Sequence, residues 1–397
     1  VTTPASLYRN AIDLNRYSNS VARDIVISYN DIIIYAVNQL RTIDELAAPV
    51  KAARLRAILA QLKESLDNWS ASSVETIADE LQGLALLQSE FVEDQLRRAL
   101  PVGARNAVNT VEISPQFARS VATTDPTQIN VVTLSDDLFA AVNGAPQTYS
   151  LTAAKGVQIT LPNGEIIEKA FRGISVDQAE RFAQVVRNGL LTGDPTSVIA
   201  KQLIGNLQLG SAGSVKELAK KGGQLTQAAD HQVMTLVRTS VNQVANAASQ
   251  QVYEANQDIT KKYRYVATLD ARTSSICRAL DGREFEYGKG PTPPQHFNCR
   301  STTVPVIDYE ELGFTPPPPA KRASMDGPVP IDQSYGDWLS KQDAATKAEV
   351  LGKQKVAYFD LLTEKYGGKD AIAKLVRDDG SELTLEQLRR RYGAAQS

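Results

Sequence analysis

The chain has 397 residues, 42% hydrophobic and 22% charged, a composition ordinary for a globular protein with room for two or three cores. Lysine plus arginine (43) nearly balances aspartate plus glutamate (45), which argues against a dedicated duplex nucleic-acid binder with its basic footprint. Two cysteines exclude a disulfide-stapled scaffold and suit a reducing compartment.

No basic, apolar leader follows Val1, and the apolar run Ile25 to Leu40 is broken by Asn30, Asp31 and Asn38, so a soluble protein is expected. The first hundred residues read as helices. Ile25, Tyr29, Ile32, Ile33, Ala36 and Leu40 keep helical spacing, as do Leu55, Ile58, Leu59, Leu62 and Leu66. Ser72-x-x-Glu75 predicts a capping box opening a third helix, with Val74, Ile77, Leu81, Leu84 and Phe91 on one side. Arg97-Arg98 and Arg389-Arg390-Arg391 read as solvated helix faces.

From Pro101 to about Gly173 apolar alternation predicts strands. Ile129 to Leu134 is one; Val157 to Leu161 and Ile166-Ile167, joined by Pro162-Asn163-Gly164, read as a hairpin. Helices resume at Ser175-x-x-Gln178, read as a second capping box, and after Asp194-Pro195. Gly205 to Gly223 reads as a mobile connection. A long helix then runs from Leu225 to about Asn256, with His231 solvent-facing or capping beside Asp230.

Lys262 to Thr268, Arg283 to Tyr287 and Ser301 to Val306 are candidate strands. Pro316 to Pro319 begin a stiff linker reaching to about Pro330, because proline runs favour an extended chain. The remainder is helical, anchored by Trp338, Leu339, Val350, Leu351, Tyr358 and Phe359. The fold class expected is α+β, mainly α. Its regions are an N-terminal helical bundle (1–100), a β-containing region (101–173), a helical region with a long helix (174–257), a small β-rich module (258–311), the proline-rich linker (312–330) and a helical tail (331–397).

Both cysteines and one of the two histidines fall between Asp270 and Arg300. The segment reads Asp270-Ala271-Arg272-Thr273, Cys277, Asp281-Gly282, then Pro293-Pro294-Gln295-His296-Phe297-Asn298-Cys299-Arg300. This order resembles the signature of the phage minor head protein family, the MuF-like head-morphogenesis proteins. The likeness continues in the preceding helix (Leu236-Val237-Arg238-Thr239, Val241-Asn242, Ala245-Asn246). It continues also in the tail (Ser334 to Leu339, Val350 to Lys353, Leu383 to Leu388), covering roughly residues 225 to 392. The resemblance implies a minor capsid protein of head morphogenesis at the portal vertex, inside the capsid. Its implied partners are the portal protein, the major capsid protein, packaged DNA and other copies of itself. It implies synthesis in the host cytoplasm, no need of a membrane for folding, and a role in DNA packaging or ejection with the genome. It carries no catalytic residue and no cofactor. Some members bear a toxin domain behind this module, but the seventy or so residues after the linker are short for an ADP-ribosyltransferase.

Cys277, His296 and Cys299 are three zinc-compatible donors; a structural site needs four, and Asp270, Asp281 or water would supply the last. The plainer reading makes both cysteines small packing residues and has His296 cap a turn; a disulfide is a third. Asp270 and Arg272 are expected to organise a turn, Arg272 bridging to a carboxylate such as Asp281. Gly282 supplies a positive φ, and Thr273, Pro294 and Arg300 complete the structural set. No zincin helix, nucleophile elbow, phosphate loop or zinc-deaminase pattern is present. The alternatives from other classes are a metal-dependent hydrolase or nuclease using Cys277, His296, Cys299 and a nearby acid such as Asp270, a Cys277–His296 nucleophile pair, and a nucleic-acid-binding module.

Overall fold

A computed structural model describes residues 3–44, 46, 48–114, 117, 119, 148–151, 160–317 and 321–394. The fold is α+β and mainly α. Helices α1 (Thr3–Leu40), α2 (Ala48–Ala99), α3 (Ile167–Thr192) and the long helix that follows them pack on one another. Their apolar stripes make this contact necessary: Ala22, Ile25, Tyr29, Ile33 and Val37 of α1 are buried, as are Leu62, Leu66, Trp69, Ile77, Leu81 and Ala85 of α2. Trp69 sits between Tyr29 and Phe171, with ring centroids 5.2 and 5.5 Å away, and its indole N–H donates to the Ile25 carbonyl at 3.1 Å. One indole thus joins three helices.

Neither expected capping box opens a helix. α2 runs unbroken through Ser72, which is exposed, and Glu75 instead pairs with Arg119 at 2.6 Å. α3 begins eight residues before Ser175, whose hydroxyl donates to Asp67 at 2.7 Å, while Gln178 accepts from Tyr29 at 3.2 Å. Both pairs serve contacts beyond their own backbone, where a cap has no free N–H to satisfy. The Asn163-Gly164 turn forms, with Gly164 at φ 78°, but it leads into α3 and not into a second strand. Val157, Ile159 and the expected strand Ile129–Leu134 lie outside the described residues. A short parallel pair, β1 (Thr110–Ile113) with β2 (Thr148–Leu151), flanks the bundle.

α4 (Thr196–Ile204) follows Pro195 as expected. The stretch read as a mobile connection contains α5 (Val215–Lys221), opened by a true capping box between Ser214 and Glu217. The long helix α6 (Gln224–Glu254) then carries the chain into β3 (Thr260–Val266). Strand β3 is central in an antiparallel sheet with β4 (Glu284–Glu286) and β5 (Thr302–Ile307), and α7 (Ser275–Leu280) lies between β3 and β4 in sequence.

The expected stiff linker is in part a hairpin, β6 (Lys321–Ser324) with β7 (Gly327–Pro330). Pro328 and Pro330 are compatible with β7 because it is an edge strand, and Gly327 takes the positive φ the turn requires. The hairpin joins the module through the Met325 N–H, which donates to the Leu269 carbonyl at 2.9 Å. The tail forms α8 (Tyr335–Ser340), α9 (Ala344–Leu351), α10 (Lys353–Tyr366), α11 (Gly368–Lys374) and α12 (Leu385–Tyr392). Trp338, Leu339, Phe359, Leu362 and Ile372 form its core, and Leu269 of the module inserts into it.

Candidate functional site

The signature residues converge on a small core under the three-stranded sheet, made of Tyr265, Ala267, Cys277 and Cys299. β3 delivers Tyr265. Ser274 caps α7 by accepting from the Cys277 N–H at 3.5 Å, which sets Cys277 in the first turn. Past the cis Pro293–Pro294 bond, the Cys299 N–H donates to the His296 carbonyl at 3.2 Å, folding Cys299 back beside His296.

The two sulfurs lie 3.7 Å apart as free thiols, so the disulfide reading is set aside. Cys277 Sγ is 3.4 Å from His296 Nε2, and the three donor atoms all fall within 4.8 Å of one another. His296 Nδ1 stands 2.8 Å from the Phe297 carbonyl, which can only accept. That fixes the proton of the neutral ring on Nδ1 and turns the Nε2 lone pair toward the thiols. Tyr265 Oη lies 3.2 Å from the sulfur of Cys277 and 4.0 Å from that of Cys299; Ser274 Oγ lies 2.7 Å from Nε2. Hydrogen bonding from Cys277 lowers the Cys299 thiol well below its ordinary range, against burial and with help from His296. The same hydrogen bond, then burial, push Cys277 up; the bond to Cys299 raises His296.

Neither aspartate proposed as a fourth ligand is free for it. Asp270 accepts a bidentate pair from Arg300 at 2.6 and 2.9 Å, and also bonds Thr273 Oγ1 and the Arg272 N–H, each at 3.1 Å. Burial opposes its charge, and Arg300 overrides it, holding the Asp270 carboxyl below its ordinary value. Asp281 is enclosed: it accepts from the Ala267 N–H at 2.6 Å, the Tyr335 N–H at 2.6 Å and Arg322 at 3.0 Å through both oxygens. The expected Arg272–Asp281 bridge is absent; Arg272 is exposed and its partner is Asp270, at 3.7 Å. Gly282 follows at φ 75°. Pro294 is buried, and Thr273 donates to the Thr268 carbonyl at 2.6 Å.

A polar stripe along α6 holds the module in place. Thr235 and Thr239 bond the side chain and N–H of Asn298, each at 3.0 Å; Asn242 donates to the Ser301 carbonyl at 3.1 Å; Gln250 donates to Thr303 at 2.9 Å. The three-to-four-residue spacing of these polar residues beside the apolar stripe was the signal for this contact. Asn298 has φ 58°, a turn conformation that asparagine tolerates. Nothing local in the sequence pointed to Tyr265 or Arg322. His231 is exposed on α6, away from this cluster.

Residues 181–304 match the family model described as phage Mu protein F like protein. This stretch belongs to the phage Mu protein F-like family. The match relates this stretch, under a third of the chain, to a phage protein family. The Mu F-like module so defined runs from α3 to β5, and the hairpin and tail that supply Arg322 and Tyr335 lie beyond it. An uncharacterized protein of Haemophilus influenzae is 29% identical over 177 residues, 43% of this chain and 37% of that protein. A protein of Enterococcus faecalis named NAD(+)–arginine ADP-ribosyltransferase EFV is 23% identical over 219 residues, 48% of this chain and 41% of its own length. The chain thus spans about two fifths of these curated relatives. No solved structure matches. Among the described residues, no helix is long and apolar enough to cross a membrane.

Proposed function

We propose that this protein is a non-enzymatic minor capsid protein of a tailed phage, bound at the portal vertex inside the capsid and acting in head morphogenesis. The Mu F-like match over residues 181–304 carries the reading. The chemistry around it is in keeping with a structural part. Cys277 and Cys299 are buried, Asp281 is enclosed against Arg322, and Asp270, which lines a cleft, is ion-paired with Arg300. The hydrolase or nuclease alternative would draw on a nearby acid such as Asp270, and Arg300 already holds that carboxylate.

The portal and major capsid proteins are the proposed partners, with further copies of this chain. A cleft of about 490 Å³ beside the module, lined by Arg16, Arg272, Arg300 and Asp270, offers a surface for local contact with packaged DNA. Its cations are few, which suits contact with a genome held in place by the capsid more than independent binding.

Quantitative mass spectrometry of mature particles and empty proheads, with portal copies as internal standard, tests this. A fixed, low ratio to portal in both is expected. Presence in proheads alone would make the protein an assembly factor, and absence from both would overturn the reading.

A further inference from the structure

We propose that Cys277, Cys299 and His296 bind one zinc ion, with the Tyr265 hydroxyl oxygen completing a tetrahedron. The distances motivate this. Zinc bonds of ~2.3 Å to sulfur and ~2.0 Å to nitrogen in tetrahedral array place two sulfurs ~3.8 Å apart and sulfur ~3.5 Å from nitrogen. The observed separations are 3.7 Å between the sulfurs and 3.4 Å from Cys277 Sγ to His296 Nε2. Hydrogen-bonded thiols reach similar separations; what points to an ion is that all the donors meet at one point, the two sulfurs and Nε2 lying within 4.8 Å of one another.

The ring orientation is a second, independent observation. A metal-binding imidazole donates its other N–H to a carbonyl or carboxylate, and Nδ1 already does so to Phe297. The Tyr265 oxygen, 3.2 and 4.0 Å from the sulfurs, straddles the ~3.5 Å separation expected of a fourth vertex. Ser274 Oγ, 2.7 Å from Nε2, would give up that hydrogen bond when Nε2 ligates the ion. Burial of both sulfurs and the tyrosine leaves no open coordination position, so the ion is structural.

Binding converts both thiols to thiolates and releases their two protons; no electron is transferred. The ion would tie β3, α7 and the His296–Cys299 turn at one point. This inference does not depend on the capsid reading, and its assay needs no particle.

Full-length protein, purified without chelator and dialysed, is assayed for zinc by elemental analysis. One zinc per chain is expected; no zinc, with none retained after addition of zinc salt, overturns the proposal. Cobalt substitution should give the intense visible bands of a tetrahedral ion and a sulfur-to-metal charge-transfer band. Cys277→Ser and Cys299→Ser should each weaken the charge-transfer band in chains whose helical circular dichroism is intact. Where a variant fails to fold, the wild-type spectrum still decides, since octahedral cobalt without charge transfer overturns the site. Tyr265→Phe should lower zinc affinity about tenfold or more in competition with a chelating dye, and unchanged affinity overturns the fourth ligand.

Discussion

Asp281 and Arg322, 41 residues apart, form a two-pronged ion pair with side chains only 0% and 1% exposed. Arg322 also donates to the carbonyls of Ala267 and, at 3.3 Å, of Gln333. The signature aspartate therefore acts as an anchor for a segment that the family match does not reach.

Removing one partner of this pair leaves the other charge enclosed. Arg322→Met should destabilise the chain by about 3–5 kcal/mol, seen as an earlier urea midpoint and early proteolysis of residues beyond 316. The double variant Asp281→Leu with Arg322→Met should recover much of that loss. A single variant as stable as wild type would show the pair to be dispensable.

Gly336 on α8 and Gly368 on α11 meet backbone to backbone; a Cβ on Gly336 would fall 1.9 Å from the Gly368 carbonyl oxygen. Gly336→Ala must push the two helices apart. The expected cost is about 1–3 kcal/mol, confined to the tail, with tryptophan fluorescence of Trp338 reporting the shift. An unchanged emission maximum and melting curve would refute this.

Burial raises the Asp230 carboxyl to about 7 from an ordinary 3.8, with the Asn30 amide opposing at 3.4 Å. The folded chain thus holds this proton more tightly than the unfolded chain does. Its contribution to stability is complete below about pH 4, declines as pH rises toward 7, and levels off above that, a loss on the order of 4 kcal/mol. Asp230→Asn should abolish that slope and be more stable than wild type at pH 8. Parallel stability curves for the two proteins between pH 4 and 8 would contradict the assignment.

Trp69→Ala should cost about 3–5 kcal/mol, because it empties the junction of α1, α2 and α3 and leaves the Ile25 carbonyl without its indole donor. Thermal unfolding followed by circular dichroism measures it; a loss below about 1 kcal/mol would mean the bundle closes over the gap.

Much of this fold was legible in the sequence, because helical periodicity in α1, α2 and α6 and alternation in β3 record which face is buried. The clustering of Cys277, His296 and Cys299 was legible as well. The capping boxes misled at Ser72 and Ser175, since a cap pattern depends on a backbone break that only tertiary packing decides; the true box at Ser214 lay in a glycine-rich stretch. The fates of Asp270 and Asp281 were hidden for a different reason. Their partners, Arg300 and Arg322, are distant in sequence, and no periodicity encodes a pairing across such a span. Tyr265 was one more apolar-facing strand residue until the sheet set it against two sulfurs.

The proline run looks like a natural place to divide the chain, and the Asp281 carboxylate shows why it is not. Its four hydrogen-bonding oxygen contacts come from Ala267 on one side of the run and from Arg322 and Tyr335 on the other. A fragment ending at Pro316 would keep an enclosed anion without its cation and expose the Leu269 side chain that the tail covers. During synthesis the same dependence imposes an order: the signature module cannot be finished until the ribosome has released the chain well past Tyr335.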